Sequence, residues 1–161
     1  PTEVDTRVDV ARMQRSLEVL AAELARCEAG GPAQLVLSGR LDIDGVQARR
    51  IKTAEGAPQA GTWLKEATGY RAGSWAMVAL LIHNRPGQQP WTVGQARLTR
   101  SNGAPVKVVS LVMDRPQLAP GETGLVVAET EAPSWASSEV LRIELREKDG
   151  GRNLVIDAAR F

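Results

Sequence analysis

The chain changes its apolar period at one point, Gly30-Gly31-Pro32. Before that point apolar residues recur at alternating spacings of three and four. After it they fall in short alternating runs separated by glycine, proline, asparagine and aspartate. The 161 residues are therefore expected to divide into a helix, residues 1–31, and a β domain, residues 32–161.

In the first part Val10, Met13, Leu17, Leu20, Leu24 and Cys27 form a heptad seam, with Val10, Leu17 and Leu24 at one core position and Met13, Leu20 and Cys27 at the other. Asp5 or Thr6 is placed to cap the start, and Gly30, Gly31 and Pro32 to stop the helix. Arg12, Arg15 and Glu18 lie off the seam. These six seam residues are the expected oligomerisation surface of a short coiled coil, and the chain is expected to be a homo-oligomer. The competing expectation is an amphipathic helix laid on its own domain. A parallel dimer would set Glu23 against Glu28 of the partner, and Ala21 widens the apolar stripe, so an antiparallel pair or a higher oligomer stays open.

In the second part the segments 34–42 and 45–53 read as strands about a turn at Asp44-Gly45, followed by an Ala-, Gly- and Pro-rich loop through 51–63. Residues 75–83 are apolar on both alternating faces, as in a central strand covered on both sides. Ala96 and Leu98 are expected inward, Asn102-Gly103 is a hairpin turn, and 104–114 follows as a strand. Ala119-Pro120-Gly121-Glu122 turns the chain into a strand over 125–129, which Pro133 ends. Leu141, Ile143 and Leu145 begin a last hairpin about Asp149-Gly150-Gly151. The expected interior comprises Trp75, Val78, Leu80, Ile82, Leu98, Leu125, Val127, Leu141, Ile143 and Leu145. This spacing predicts a mainly β fold, an antiparallel β-sandwich of immunoglobulin-like type without its disulfide, behind one long N-terminal helix. A small barrel is the alternative, and no internal repeat is apparent.

The segments "RCEAGG", "LVLSG", "GVQARRI", "GYRAGSWAMVALLIHNRPGQQPW" and "LAPGETGLVVAETEAP", in that order, carry a family resemblance over nearly the whole chain. It resembles the C-terminal part of a lineage-specific paralogous family of myxobacterial proteins that form a domain of unknown function. The resemblance implies an exported or envelope-associated bacterial protein with further β structure upstream, and it transfers no catalytic residue. The first residue is Pro1, which points to a processed or truncated piece of a longer protein. The lack of a targeting segment therefore leaves the compartment open.

Composition narrows the chemistry. Twenty basic and 19 acidic residues give a net charge of +1, no global field for nucleic acid or an anionic membrane. No apolar run reaches the roughly 20 residues of a transmembrane helix. One cysteine, Cys27, and one histidine, His83, leave no cysteine-rich zinc site within a chain. His83 ends the strongest strand and reads as a histidine bonded to backbone; Cys27 reads as a seam residue. Asp42-Ile43-Asp44-Gly45 lacks the later ligands of a calcium loop. Glu129 and Glu131 share a strand face and read as solvated, and "GAPQAG" lacks the ending of a phosphate loop. Arg49, Arg50 and Lys52 form a basic cluster without the interleaved aromatics of a nucleic-acid site. Trp75 is assigned to the core. Trp63, Trp91 and Trp135 sit in or near loops, where they either pin the loop or anchor a partner, and they are the candidate recognition residues.

The expected function is a non-enzymatic interaction or assembly module that binds protein or glycan, without cofactor or metal. The alternatives are a carboxylate-based hydrolase and a purely structural envelope component.

Overall fold

Gly30-Gly31-Pro32, the expected stop of the helix, interrupts it without ending it. In the computed structural model, which describes residues 3–53 and 61–161 and, among them, not the side chains of 3–5 and 26–30, helix α1 spans Glu3–Leu37. Gly31 interrupts it with φ 41° and ψ −150°, a backbone state that glycine reaches without a Cβ penalty. Pro32 then stands in the first turn of a short continuation, where its missing N–H has no helical partner to lose. The expected stop is thus a break, and the strand expected over 34–42 is helix to Leu37 followed by turns. The chain divides into two compact units, Pro1–Arg40 and Leu41–Phe161, a boundary later than the expected 31–32 because of that helical continuation.

The second unit is an antiparallel β-sandwich. Its strands are β1 (Gln47–Arg50), β2 (Thr62–Arg71), β3 (Ala76–Asn84), β4 (Val93–Thr99), β5 (Pro105–Val106), β6 (Val108–Met113), β7 (Thr123–Thr130), β8 (Leu141–Glu147) and β9 (Asn153–Ala159). One sheet has the order β1-β2-β3-β7-β6 and the other β5-β4-β8-β9. Strands β2, β3, β7 and β6 against β4, β8 and β9 reproduce the two-sheet order of a constant-type immunoglobulin domain. The expected single strand 104–114 is split at Lys107, so β5 completes one sheet and β6 the other. Strand β2 was hidden in the sequence: Lys65, Glu66 and Gly69 blur its alternation, and a bulge between Leu64 and Glu66 shifts its register.

Between the sheets lies one apolar cluster. Val78, Leu80 and Ile82 from β3, Val126 and Ala128 from β7, Leu98 from β4 and Leu141, Ile143 and Leu145 from β8 are all buried. Two members of the expected interior are corrected here. Leu125 is 37% exposed and Val127 is half-buried on the opposite face of β7. The pairing of β7 with β3 sets Gly124, Val126 and Ala128 beside Ile82, Leu80 and Val78. Small residues therefore meet large ones on the inner face, and the bulkier Leu125 and Val127 turn outward. Gly121 (φ 83°) makes the predicted turn, with the Glu122 N–H donating to the Ala119 carbonyl at 3.0 Å. Gly103 and Gly150 hold positive φ at the two predicted hairpins.

Candidate interaction face

The three loop tryptophans separate into two that are buried and one that is exposed. Trp91 is 0% exposed and Trp135 is 2% exposed, so both leave the recognition set and pin the structure instead. Trp91 forms a two-way backbone bridge with Leu118. Trp135 donates its indole N–H to the Phe161 carbonyl at 2.9 Å, packs edge-on against the Phe161 ring at 5.7 Å and lies under the Arg71 guanidinium at 5.6 Å. A buried indole needs such a partner for its N–H. Trp63 stays 43% exposed at the start of β2, with the Lys65 ammonium 5.9 Å from its ring centroid.

Trp63 stands at one end of a surface that the sequence indicated only indirectly. Antiparallel partners point the same way, so the register of β2, β3 and β7 defines rows on the outer face of the five-stranded sheet. Trp63, His83 and Thr123 form one row, and Glu66, Leu81 and Leu125 the next. Thr68, Ala79, Val127 and Val112 follow, then Tyr70, Met77 and Glu129. An antiparallel sheet with one face in water ordinarily carries polar residues there. Here Leu81, Leu125, Val127, Val112 and Met77 occupy it, with Val112 54% exposed. The apolar character of both faces of residues 75–83 was the available signal. The two sheets cover only one of those faces, so the expectation of a strand buried on both sides is corrected.

His83 lies within this face, its Nδ1 2.9 Å from the Thr123 hydroxyl. Its partner is a side chain rather than the expected backbone group, because Thr123 is its direct cross-strand neighbour. The acidic candidates have local partners. Asp42 accepts the Asp44 amide at 2.9 Å, closing a turn, and Glu131 pairs with Lys107 at 3.1 Å on the surface. Among the described residues no three histidine, cysteine or acidic side chains gather as a metal site. In α1, Val10, Met13, Leu17, Leu20 and Leu24 are exposed, Leu17 at 65%. The Cys27 side chain lies outside the described residues. No described helix is long and apolar enough to cross a membrane.

Ordered ion pairs lie on the β6–β7 connection, where Arg115 joins Asp114 and Glu122, and on the four-stranded sheet and its turns. Burial pushes the Glu147 carboxyl up, but hydrogen bonds from the Arg152 side chain and backbone N–H, with the guanidinium charge, outweigh it and hold the group below its ordinary range. Hydrogen bonds from Arg100 and then Ser101 lower Glu139 in the same way. Arg152 also donates to the fully buried Asn84 at 2.9 Å. These groups are tied to one another and fasten strand ends.

A family model described as a protein of unknown function (DUF2381) matches residues 1–159. No curated protein matches the chain. Among solved structures, it is similar to the archaellum periplasmic stator protein FlaG from Sulfolobus acidocaldarius, at 16% identity over 59% of this chain and 97% of that one, with a TM-score of 0.44. The FlaF and FlaG stator complex from the same organism matches at 16% identity over 65% and 96%, TM-score 0.43. The archaeal flagellum of Methanospirillum hungatei strain JF1 matches at 14% identity over 98% and 94%, TM-score 0.40. The sandwich assignment rests on the two sheets themselves.

Proposed function

We propose that this chain, which belongs to the DUF2381 family, is a non-enzymatic interaction and assembly module. Its sandwich docks a protein partner on the outer face of the five-stranded sheet, and its helix self-associates through the seam Val10, Met13, Leu17, Leu20, Leu24 and Cys27. The observation that supports this reading is the apolar outer face, where Leu81, Leu125, Val127 and Val112 lie side by side across three strands. Contiguous exposed apolar surface on a folded domain marks interaction sites. Trp63 at its margin supplies an aromatic anchor with few rotamers to lose. The aliphatic make-up favours a protein over a glycan, which would need several aromatic platforms and convergent polar groups.

A hydrolase reading requires two carboxylates flanking a substrate. Glu131 is instead engaged with Lys107 on the surface, which favours the non-enzymatic reading. The exported, envelope-associated setting and the myxobacterial lineage are kept as parts of the proposal, since the sequence resemblance implies them.

The test is capture from the source cells by the intact chain and by Leu125→Glu and Val127→Glu variants that keep the wild-type circular dichroism. A partner held by the outer face is lost from both variants. Capture that both variants retain in full sinks the docking half of the reading, whatever the helix does.

A further inference from the structure

At one side of the sandwich the edge strands β1 and β9 leave a groove of about 590 Å³ lined by Arg49, Arg50, Ile51, Lys52, Ala158 and Arg160. Among the described residues, four of the six that line it are cationic and none is acidic. The chain's net charge is only +1, so this is a local concentration of charge rather than a share of a basic surface.

The cations of the groove differ from the six that are held in ion pairs elsewhere on the sandwich. Arg100, Lys107, Arg115, Arg142, Arg146 and Arg152 each lie between 3.1 and 3.8 Å from a carboxylate oxygen. Among the described residues, Arg50, Lys52 and Arg160 have no such ion pair. Arg49 donates one bond to the Ser137 carbonyl at 3.2 Å, which leaves most of its five-donor fork available. Asp157, beside the groove in sequence, is 3.8 Å from Arg142. Four like charges around one groove repel one another, and that cost is relieved by a multiply charged anion.

The backbone adds to the same site. Ile51 donates its N–H to the Ala67 carbonyl at 2.8 Å and buries its side chain in the core. By the alternation of an antiparallel ladder, the amides of Arg50 and Lys52 then face the free edge of β1. The groove therefore has an apolar floor at the buried Ile51, edge amides and exposed cationic arms. Guanidinium forks match the paired oxygens of phosphate. Among the described residues no aromatic side chain lines the groove for base stacking, which argues against single-stranded nucleic acid.

We propose that this groove is a binding site for a ligand with two or more linked phosphate groups, either a soluble oligophosphate or a diphosphate lipid headgroup. The experiment is calorimetric titration of the full chain with sodium tripolyphosphate, together with flotation on phosphatidylcholine vesicles with and without cardiolipin. Arg50→Glu/Arg160→Glu is compared with Arg97→Glu/Lys148→Glu, which changes the net charge equally away from the groove. Arg50→Gln/Arg160→Gln serves if the charge reversal disturbs folding. Tripolyphosphate should bind at low salt, about tenfold more weakly in the groove variant and unchanged in the other. Flotation that depends on cardiolipin and on the groove assigns a lipid source; titration alone assigns a soluble one. Absence of both, or equal weakening in the two charge variants, overturns the proposal.

Discussion

The seam of α1 and the interior of the sandwich are both apolar patterns, yet they end in opposite environments. Leu80, Ile82 and Leu145 are fully buried, whereas Leu17, Leu20 and Leu24 are each at least 60% exposed. A periodic pattern states which face of an element is apolar. It does not state what covers that face. In the sandwich the cover comes from within the same unit, so the pattern is spent on stability. Along the helix it stays exposed, and the outer face of the five-stranded sheet is in the same position; both are the surfaces proposed for association.

Truncating the buried side should have the largest effect. Trp135→Ala removes the edge-on contact with Phe161 and the indole hydrogen bond, and is expected to cost about 3–5 kcal/mol in urea unfolding. Trp63→Ala, on the exposed side, should change stability by less than about 0.5 kcal/mol. Similar losses at both positions would erase the distinction between pinning and presenting tryptophans.

Gly69→Ala tests the same core from the backbone. A Cβ at Gly69 would run into the Phe161 side chain, and overpacking of this kind costs roughly 1–3 kcal/mol. A variant as stable as the wild type would mean that Phe161 moves aside freely and does not seal that end of the sandwich.

The helix side should respond in association rather than in folding. Leu17→Lys/Leu24→Lys is expected to turn an oligomer into a monomer by sedimentation, while the denaturation midpoint of the β domain stays put. Each leucine buried between helices contributes roughly 1.5–3 kcal/mol relative to exposure. If wild type and variant sediment alike, the seam does not assemble copies of the chain.

The smallest effect concerns acid. Glu147 has its pKa lowered in the folded state, so the folded protein binds fewer protons than the unfolded chain across the interval between the two values. Its contribution is complete above the ordinary glutamate value of about 4.3 and is lost as pH falls through the lower folded value. Glu147→Gln should therefore flatten the dependence of the urea midpoint on pH below that point and leave the sedimentation of the chain untouched. An unchanged slope would indicate that Arg152 holds its strand end through Asn84 and the carbonyls alone.

How much of this was legible follows from which forces are local. The turns at Gly103, Gly121 and Gly150, and the inward set Leu141, Ile143 and Leu145, could be read directly, whereas Gly31 read as a stop and is a break. Turn chemistry and two-residue alternation act over a few bonds, and they sufficed to indicate an antiparallel sandwich. The orientation of β7 was not readable, because Leu125-Val126-Val127-Ala128 is apolar in either phase and only pairing with β3 selects one. The same pairing decided that His83 meets Thr123. Burial of Trp91 and Trp135 depended on Leu118 and Phe161, residues remote in sequence, since any loop tryptophan looks alike until its cover is known. Arg160 likewise joins Arg49, Arg50 and Lys52 only because β1 and β9 end up as edge strands on one side. Sequence by itself determined the elements and their apolar faces, through short-range backbone and periodic constraints. Tertiary structure alone decided which apolar faces are covered and which distant charges meet, because burial and Coulomb contact depend on chain crossings that no local window contains.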